Sequence, residues 1–272
     1  MPGGKSAVIY CSAPSIAFPH DDHNNHMLNI LLLSDIHGNF PALTAIEQFF
    51  AGESFDLILN CGDSVVYAPF PSETLRWLRR HQAISILGNT DKKVLRLLQG
   101  KDLNKPRKID KRIMYTSTVS QLDEVGRLDL LAMPAYLDLQ LAVDDGDSIS
   151  RTVGLHHGSP AEPHEFLFAD TPNERFTELA AVSRSEIIVT GHSHTPYHKQ
   201  VAGIHFINPG SAGRMFDGDP RTSCAILRLS ADSVMVEHFR IAYDIEAVIR
   251  ALTGCRLPEV YARMYREGRK LN

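Results

Sequence analysis

No stretch of this 272-residue chain approaches the roughly 20 consecutive apolar residues that a helix needs to cross a bilayer. Cysteine is scarce as well. Cys11, Cys61, Cys224 and Cys255 stand alone, without a C-x-x-C pair. That spacing argues against a disulfide frame and reads as reduced thiols in a cytoplasmic protein. Neither sign of charge dominates: 28 Lys and Arg face 32 Asp and Glu, for a formal charge of −4. The balance speaks against a broad nucleic-acid or membrane surface, but it leaves room for one anionic ligand at a locally cationic site. There is no internal repeat, and no low-complexity block follows residue 26.

What remains is ordinary globular chemistry. Apolar residues make up 43% and charged residues 22%, over a length that can bury one large core. Residues 1–26 differ from the rest. They mix Gly, Ser, Pro and Ala with a polar run from His20 to His26. Pro14 and the serines interrupt the Ser6–Phe18 portion, so it does not read as the core of a signal peptide. The expectation is a disordered N-terminal extension over 1–26, with Met27 as an alternative start, followed by a single domain over 27–272. His20, His23 and His26 are spaced as metal donors could be, but polar tails of this kind rarely fold alone.

From Ile30 the pattern sharpens. The apolar run Ile30-Leu31-Leu32-Leu33 ends abruptly in Ser34-Asp35-Ile36-His37-Gly38-Asn39. Side chains two apart on a strand share a face, so Asp35 and His37 are expected to project together from its carboxyl end. Open α/β sheets bind ligands there, and a carboxylate beside an imidazole suits Mn, Fe or Zn. Asn39 and Pro41 open a helix whose Leu43, Ile46 and Phe50 fall on one face. A second strand, Phe55–Asn60, runs into Cys61-Gly62-Asp63. After a helix over Pro71–Arg80, a third strand, Ala83–Leu87, runs into Gly88-Asn89-Thr90-Asp91. This alternation predicts a parallel sheet with crossover helices.

The signal weakens between 92 and 150. Lys92–Leu98 reads as helix. Gly100–Arg112 reads as an irregular basic loop, either solvated or a lid that meets an anionic substrate. Gln121–Leu131 reads as an amphipathic helix, Tyr136–Val143 as a strand and Asp144–Asp147 as a hairpin turn. Further on, Thr152–Leu155 leads into His156-His157-Gly158, and Glu186–Thr190 into Gly191-His192-Ser193-His194. His205–Ile207 precedes Asn208-Pro209-Gly210-Ser211. Alternating stretches follow at Cys224–Leu229 and Val234–Ile241. Two short helices, parted by Gly254 and Pro258, then complete the chain.

Five apolar strands therefore end in metal donors. Turn preference accounts for Asp63 and Asn89 one at a time, but not for two histidine-containing pairs at i, i+2. The blocks Asp35-Ile36-His37, Gly62-Asp63, Gly88-Asn89-Thr90-Asp91, His157-Gly158 and Gly191-His192-Ser193-His194 occur in the order of a known signature. From Leu28 to about Gly268 the chain resembles the calcineurin-like metallophosphoesterases. It is most similar to the small bacterial and archaeal branch related to diadenosine tetraphosphatases. That branch also resembles this chain at Tyr67-x-Pro69-x-Pro71, Asn208-Pro209-Gly210-Ser211 and Asp217-Gly218-Asp219-Pro220-Arg221.

The resemblance implies an α/β fold: a four-layer α/β/β/α sandwich of two mixed sheets flanked by helices, with a partial cap at about 92–150. It implies two divalent ions, Mn, Fe, Zn or Ni. One would be held by Asp35, His37, Asp63 and His194, the other by Asp63, Asn89, His157 and His192, with Asp63 shared. Two dications against two carboxylates leave a centre of about +2, which attracts phosphate and activates a bridging hydroxide for attack on phosphorus. The implied activity is that of a phosphodiesterase or phosphatase. The substrate would be a small phosphorylated molecule such as a nucleotide, cleaved at a phosphodiester, phosphoanhydride or activated phosphomonoester. His157 is chosen over His156 because the family's histidine precedes glycine. His156 is expected to pack or to support a ligand.

One position departs from the pattern. Many relatives carry histidine where this chain has Thr90, and a hydroxyl is a poor general acid at neutral pH. Asn89 and Asp91 remain as catalytic candidates near that position. Arg214 and Arg221, after the last block, are candidate phosphate contacts. Two other readings of the same fold are a non-catalytic protein-binding module and a phosphoprotein phosphatase.

Overall fold

The computed structural model describes residues 15–16, 27–143 and 149–272. In chain order its elements begin with β1 (Ser15–Ile16), β2 (Leu28–Leu33), α1 (Phe40–Phe49), β3 (Leu57–Asn60), α2 (Pro71–Arg80) and β4 (Ile84–Ser85). Next come α3 (Asn89–Leu98), α4 (Ile109–Gln121), α5 (Glu124–Ala132), β5 (Tyr136–Ala142) and β6 (Ser150–His156). The rest are α6 (Asn173–Val182), β7 (Ile187–Val189), β8 (Tyr197–Val201), β9 (Ile204–Asn208), β10 (Thr222–Leu229), β11 (Val234–Ile241), α7 (Ile245–Gly254) and α8 (Val260–Glu267).

Two mixed sheets result, ordered β11-β10-β2-β3-β4 and β1-β5-β6-β7-β9-β8. The first is parallel from β2 to β4, as the strand–helix alternation requires. Alternation along β2 explains the layering. Leu31 and Leu33 face α1, α2 and the C-terminal helices, where they meet Leu43, Ile46, Leu75, Val248 and Tyr261. Leu28, Ile30 and Leu32 face the other sheet, against Leu139, Leu141, Val153, Leu155 and Val189. A strand buried on both faces reads as a near-continuous apolar run, and β2 does so from Ile30 to Leu33. The outer face of the second sheet is covered by Phe176 and Leu179 of α6, packed on Ile188 and Phe206. Helices, two sheets and a helix make four layers, the sandwich that the family resemblance implied.

Several local expectations shift. The helix expected over Gln121–Leu131 starts three residues later, as α5 over Glu124–Ala132, and is preceded by a separate helix, α4. Helix α4 ends at Gln121, and Asp123 caps α5 by accepting from the Gly126 N–H at 2.7 Å. The end of the expected basic loop is helical, because Met114, Tyr115 and Thr118 bury one face of α4. The third strand is only Ile84–Ser85. Within 92–150, β5 is a sheet strand and α5 packs on α2 through Arg79 and Asp129. Ser15 and Ile16 pair parallel with Gln140 and Leu141. The rest of 1–26, including His20, His23 and His26, and the expected turn at Asp144–Asp147 lie outside the described residues. Among the described residues no helix is long and apolar enough to cross a membrane.

Candidate metal centre

The donors gather where β2, β3, β6 and β7 end, but not by strand alternation. β2 stops at Leu33 and β7 at Val189, before their donor pairs begin. Asp35, His37, Asp63, His192 and His194 all adopt left-handed backbone, with φ of 51°, 52°, 53°, 66° and 59°. The shared strand face expected for Asp35 and His37 is therefore corrected: consecutive tight turns converge the side chains. Such backbone is costly for non-glycine residues and persists where the surroundings over-determine it. Here neighbouring loops do so. Asp35 N–H donates to the Gly62 carbonyl, His37 N–H to Asp63 and Gly38 N–H to Ser64, each at 2.9 Å. Gly213 N–H closes the far side on the Asp35 carbonyl at 3.0 Å.

Each imidazole is aimed from behind. Nδ1 of His157 donates to the Cys61 carbonyl at 2.8 Å, Nδ1 of His37 to Val65 at 3.5 Å, and Nδ1 of His194 to Arg214. A carbonyl only accepts, so these Nδ1 atoms carry hydrogen and each Nε2 turns toward the centre. The Nε2 atoms of His37 and His194 lie 3.3 Å apart, and His194 Nε2 lies 3.2 Å from Asp35 Oδ1. Asp35 Oδ1 is buried without a hydrogen-bond partner. Lone pairs facing one another in a dry site are unfavourable unless a cation lies among them, so the donor set fits a metal. Asp63 spans both halves, with Oδ1 3.5 Å from His157 Nε2 and Oδ2 3.8 Å from His37 Nε2. Asn89 Oδ1 and His192 Nδ1 approach His157 Nε2 at 3.1 and 3.2 Å. Two clusters have metal-site spacing: Asp35, His37 and His194, and Asp35, Asp63 and His157.

Electrostatics agree with this arrangement. Burial works against ionisation of Asp35, yet His194 beside it holds its carboxyl down at about 2. Asp63 is likewise held ionised, against burial, by His157 and His37. Burial lowers His37 to about 3, and burial together with His157 lowers His192 to about 4, so both are neutral and able to coordinate. His157 is the exception. Burial disfavours its charge, but Asp63 raises it to about 9, so a proton competes there with a metal ion.

The two catalytic candidates on the third block separate. Asn89 borders the cavity. Asp91 is fully buried behind it, its oxygens accepting from the N–H groups of Ser64, Val65 and Gly88 at 3.1, 3.1 and 3.0 Å. Burial and the charge of Asp63 push it up to about 7, but a carboxyl so engaged has no path to a substrate. Its place is to hold the loop. Thr90 is also committed: its N–H donates to Asp63 Oδ1 at 2.7 Å and its hydroxyl to the Val65 carbonyl at 3.2 Å. Gly88 is required by close approach, since a Cβ there would lie 2.1 Å from Asp63 Oδ1 and 2.2 Å from Asp63 N. Gly88→Ala is expected to destabilise the fold by about 1–3 kcal/mol and to lower bound metal, as read by a thermal melt and metal analysis.

The arginine candidates also part. Arg214 is buried, its guanidinium 3.8 Å from the centre of the Tyr67 ring, and it lines the same cavity as His37, Asp63 and His194. Arg221 is exposed, paired with Asp219 at 2.7 Å, and lies outside that cavity. His156 stacks on Tyr136, with ring centres 5.9 Å apart. The cavity measures about 390 Å³, and sequence reasoning missed several of its walls. Phe166 stacks on His192 at 4.1 Å and Phe216 on His194 at 4.0 Å. Lys270 enters from the C-terminus. Of the basic stretch, Lys105, Arg107 and Lys111 line the cavity, whereas Arg112 turns back to the Leu103 and Pro106 carbonyls. A larger cavity of about 640 Å³ lies near Phe50, Asp56 and Trp77, away from both clusters of donors.

Comparison with known proteins places this geometry. An uncharacterized protein of Methanocaldococcus jannaschii is 28% identical over 247 residues, covering 85% of this chain and 94% of that protein. Phosphodiesterase YfcE of Escherichia coli K12 is 22% identical over 71% of this chain and 84% of its own length. Among solved structures, a metallophosphoesterase from Sphaerobacter thermophilus superposes with a TM-score of 0.71 at 25% identity, covering 89% of this chain and 99% of that one. The model of the calcineurin-like phosphoesterase superfamily domain matches residues 28–232. With that match spanning every donor block, the chain belongs to the calcineurin-like phosphoesterase superfamily.

Proposed function

We propose that this protein is a divalent-metal-dependent hydrolase of phosphoesters, acting on a phosphodiester, a phosphoanhydride or an activated phosphomonoester. The observation that carries the reading is the pair of donor clusters that meet at the orphaned Asp35 Oδ1, Asp35 with His37 and His194 and Asp35 with Asp63 and His157, with Asn89 and His192 close to His157. Asp35, His37, Asp63 and His194 would hold one ion and Asp63, Asn89, His157 and His192 the other. When bound, a pair of Mn, Fe, Zn or Ni ions supplies Lewis acidity and lowers the pKa of water toward neutrality. The chain itself supplies aim and charge. The backbone carbonyls behind His37, His157 and His194 fix the three imidazoles, and Arg214, held over Tyr67, presents a cation to a phosphoryl oxygen. With the Thr90 hydroxyl donating to Val65, no side chain on that block is free to protonate a leaving group. Substrates whose leaving groups are already stable as anions, such as aryl oxides or nucleotides, are therefore favoured. The name of the phosphodiesterase relative points to the same class. The complete donor set favours an enzyme over a binding module.

Chelation is the direct test. Protein stripped with EDTA is expected to lose hydrolysis of bis(p-nitrophenyl) phosphate and to melt earlier, since a ligand that binds only the folded state stabilises it. Mn added back at about two ions per chain should restore both. Metal-replete protein that leaves a broad phosphoester panel intact would overturn the proposal.

A further inference from the structure

Beyond the metal donors, the cavity wall is cationic to a degree that the scissile phosphate does not explain. Lys93 of α3, Lys105 and Arg107 of the following loop, Lys111 of α4, Arg214, and Lys270 after α8 all line it. Elsewhere, Arg76, Arg79, Arg80, Arg175 and Arg221 each sit on a carboxylate. Among the described residues, none of the six cavity cations has a carboxylate within 4.0 Å. The crowding is local, in a chain whose formal charge is −4. Lys111 is lowered to about 8, first by partial burial, then by Arg214, Lys270, Lys108 and Lys93 around it. Asp63 also lines the cavity and tempers Lys93, but like charges that outnumber their counter-charges cost energy, and they are commonly gathered where an anion will neutralise them.

Resting on the hydrolase reading of the metal donors, we infer that the cavity has a second anion subsite, built from Lys93, Lys105, Arg107, Lys111 and Lys270. It holds a further phosphate of a small, multiply phosphorylated substrate while Arg214 and the metal donors engage the reacting one. The concave, roughly 390 Å³ shape favours a small molecule over a polymer laid along a surface. The subsite is assembled from α3, the loop after it, α4 and the distant stretch after α8, so it forms only in the folded protein.

Binding can be measured without turnover. EDTA-treated protein is titrated by calorimetry with inorganic tripolyphosphate and with orthophosphate. Tripolyphosphate is expected to bind at least about tenfold more tightly, because several cations act on one ligand. The triple variant Lys105→Ala, Arg107→Ala, Lys111→Ala should reduce the two affinities to parity. Lys270→Ala, at an exposed position beyond the last helix, should weaken tripolyphosphate alone and covers the case in which the triple variant misfolds. Equal affinities in the wild type, or an unchanged Lys270→Ala variant, would overturn the subsite. Tighter binding of a short single-stranded oligonucleotide than of tripolyphosphate would overturn the small-molecule class. The Asp63→Asn variant should keep tripolyphosphate binding while losing hydrolysis, so failure of the hydrolase reading and failure of the subsite give different results.

Discussion

Asp63→Asn is expected to lower hydrolysis by more than about a hundredfold, a loss that even the outer partners of metal ligands can cause. It should also reduce bound metal from about two ions per chain to one or fewer. Asp63 turns its two oxygens to the two halves of the centre, Oδ1 toward His157 and Oδ2 toward His37. Asparagine keeps the shape and can still accept from the Thr90 N–H, which reaches Oδ1 at 2.7 Å. What it removes is one of two negative charges and one of two acceptor oxygens. The amide also turns a donor toward imidazole nitrogens that should be coordinating. Metal analysis with initial rates on an aryl phosphodiester reads both effects. Wild-type turnover at full metal content would remove Asp63 from the shared role.

Asp91→Ala should act on the fold first. It strands three buried N–H groups, on Ser64, Val65 and Gly88. With about 1–3 kcal/mol for each donor left unpaired and partial relief from entering water, a loss of about 3 kcal/mol is expected. That corresponds to a melting temperature lower by roughly 6–12 °C in a chain of this size. Activity should fall with it, because the Val65 carbonyl faces His37 Nδ1 and accepts from the Thr90 hydroxyl. Asp91→Asn retains one acceptor and should recover part of the stability. An Asp91→Ala protein that melts with the wild type would show that the loop is held by other means.

These two residues illustrate what was readable before folding. Asp63 and Asp91 both follow short apolar strands, both stand in motif blocks, and both are acids beside glycine or threonine. Sequence pattern alone could not say that one faces the cavity and the other is sealed behind it. The same holds for Arg214 and Arg221, seven positions apart, of which only the first meets the cavity. Helix α4 was obscured because its N-terminal half carries Lys111 and Arg112 and leaves Ile109 and Ile113 exposed, so its buried face begins late, at Met114 and Tyr115. Lys270, Phe166 and Phe216 gave no signal, because they lie in loops or at a terminus where no periodicity marks a face.

Local chemistry therefore wrote the donor identities and the alternation of strands and helices into the chain. Apolar runs and the turn residues that interrupt them act over a few positions, and those can be read in order. The left-handed turns that converge Asp35, His37, Asp63, His192 and His194, and the meeting of Lys93, Lys111 and Lys270 around one cavity, were decided only by tertiary packing. Contacts between residues more than a hundred positions apart depend on how whole layers stack, and no local pattern carries that information.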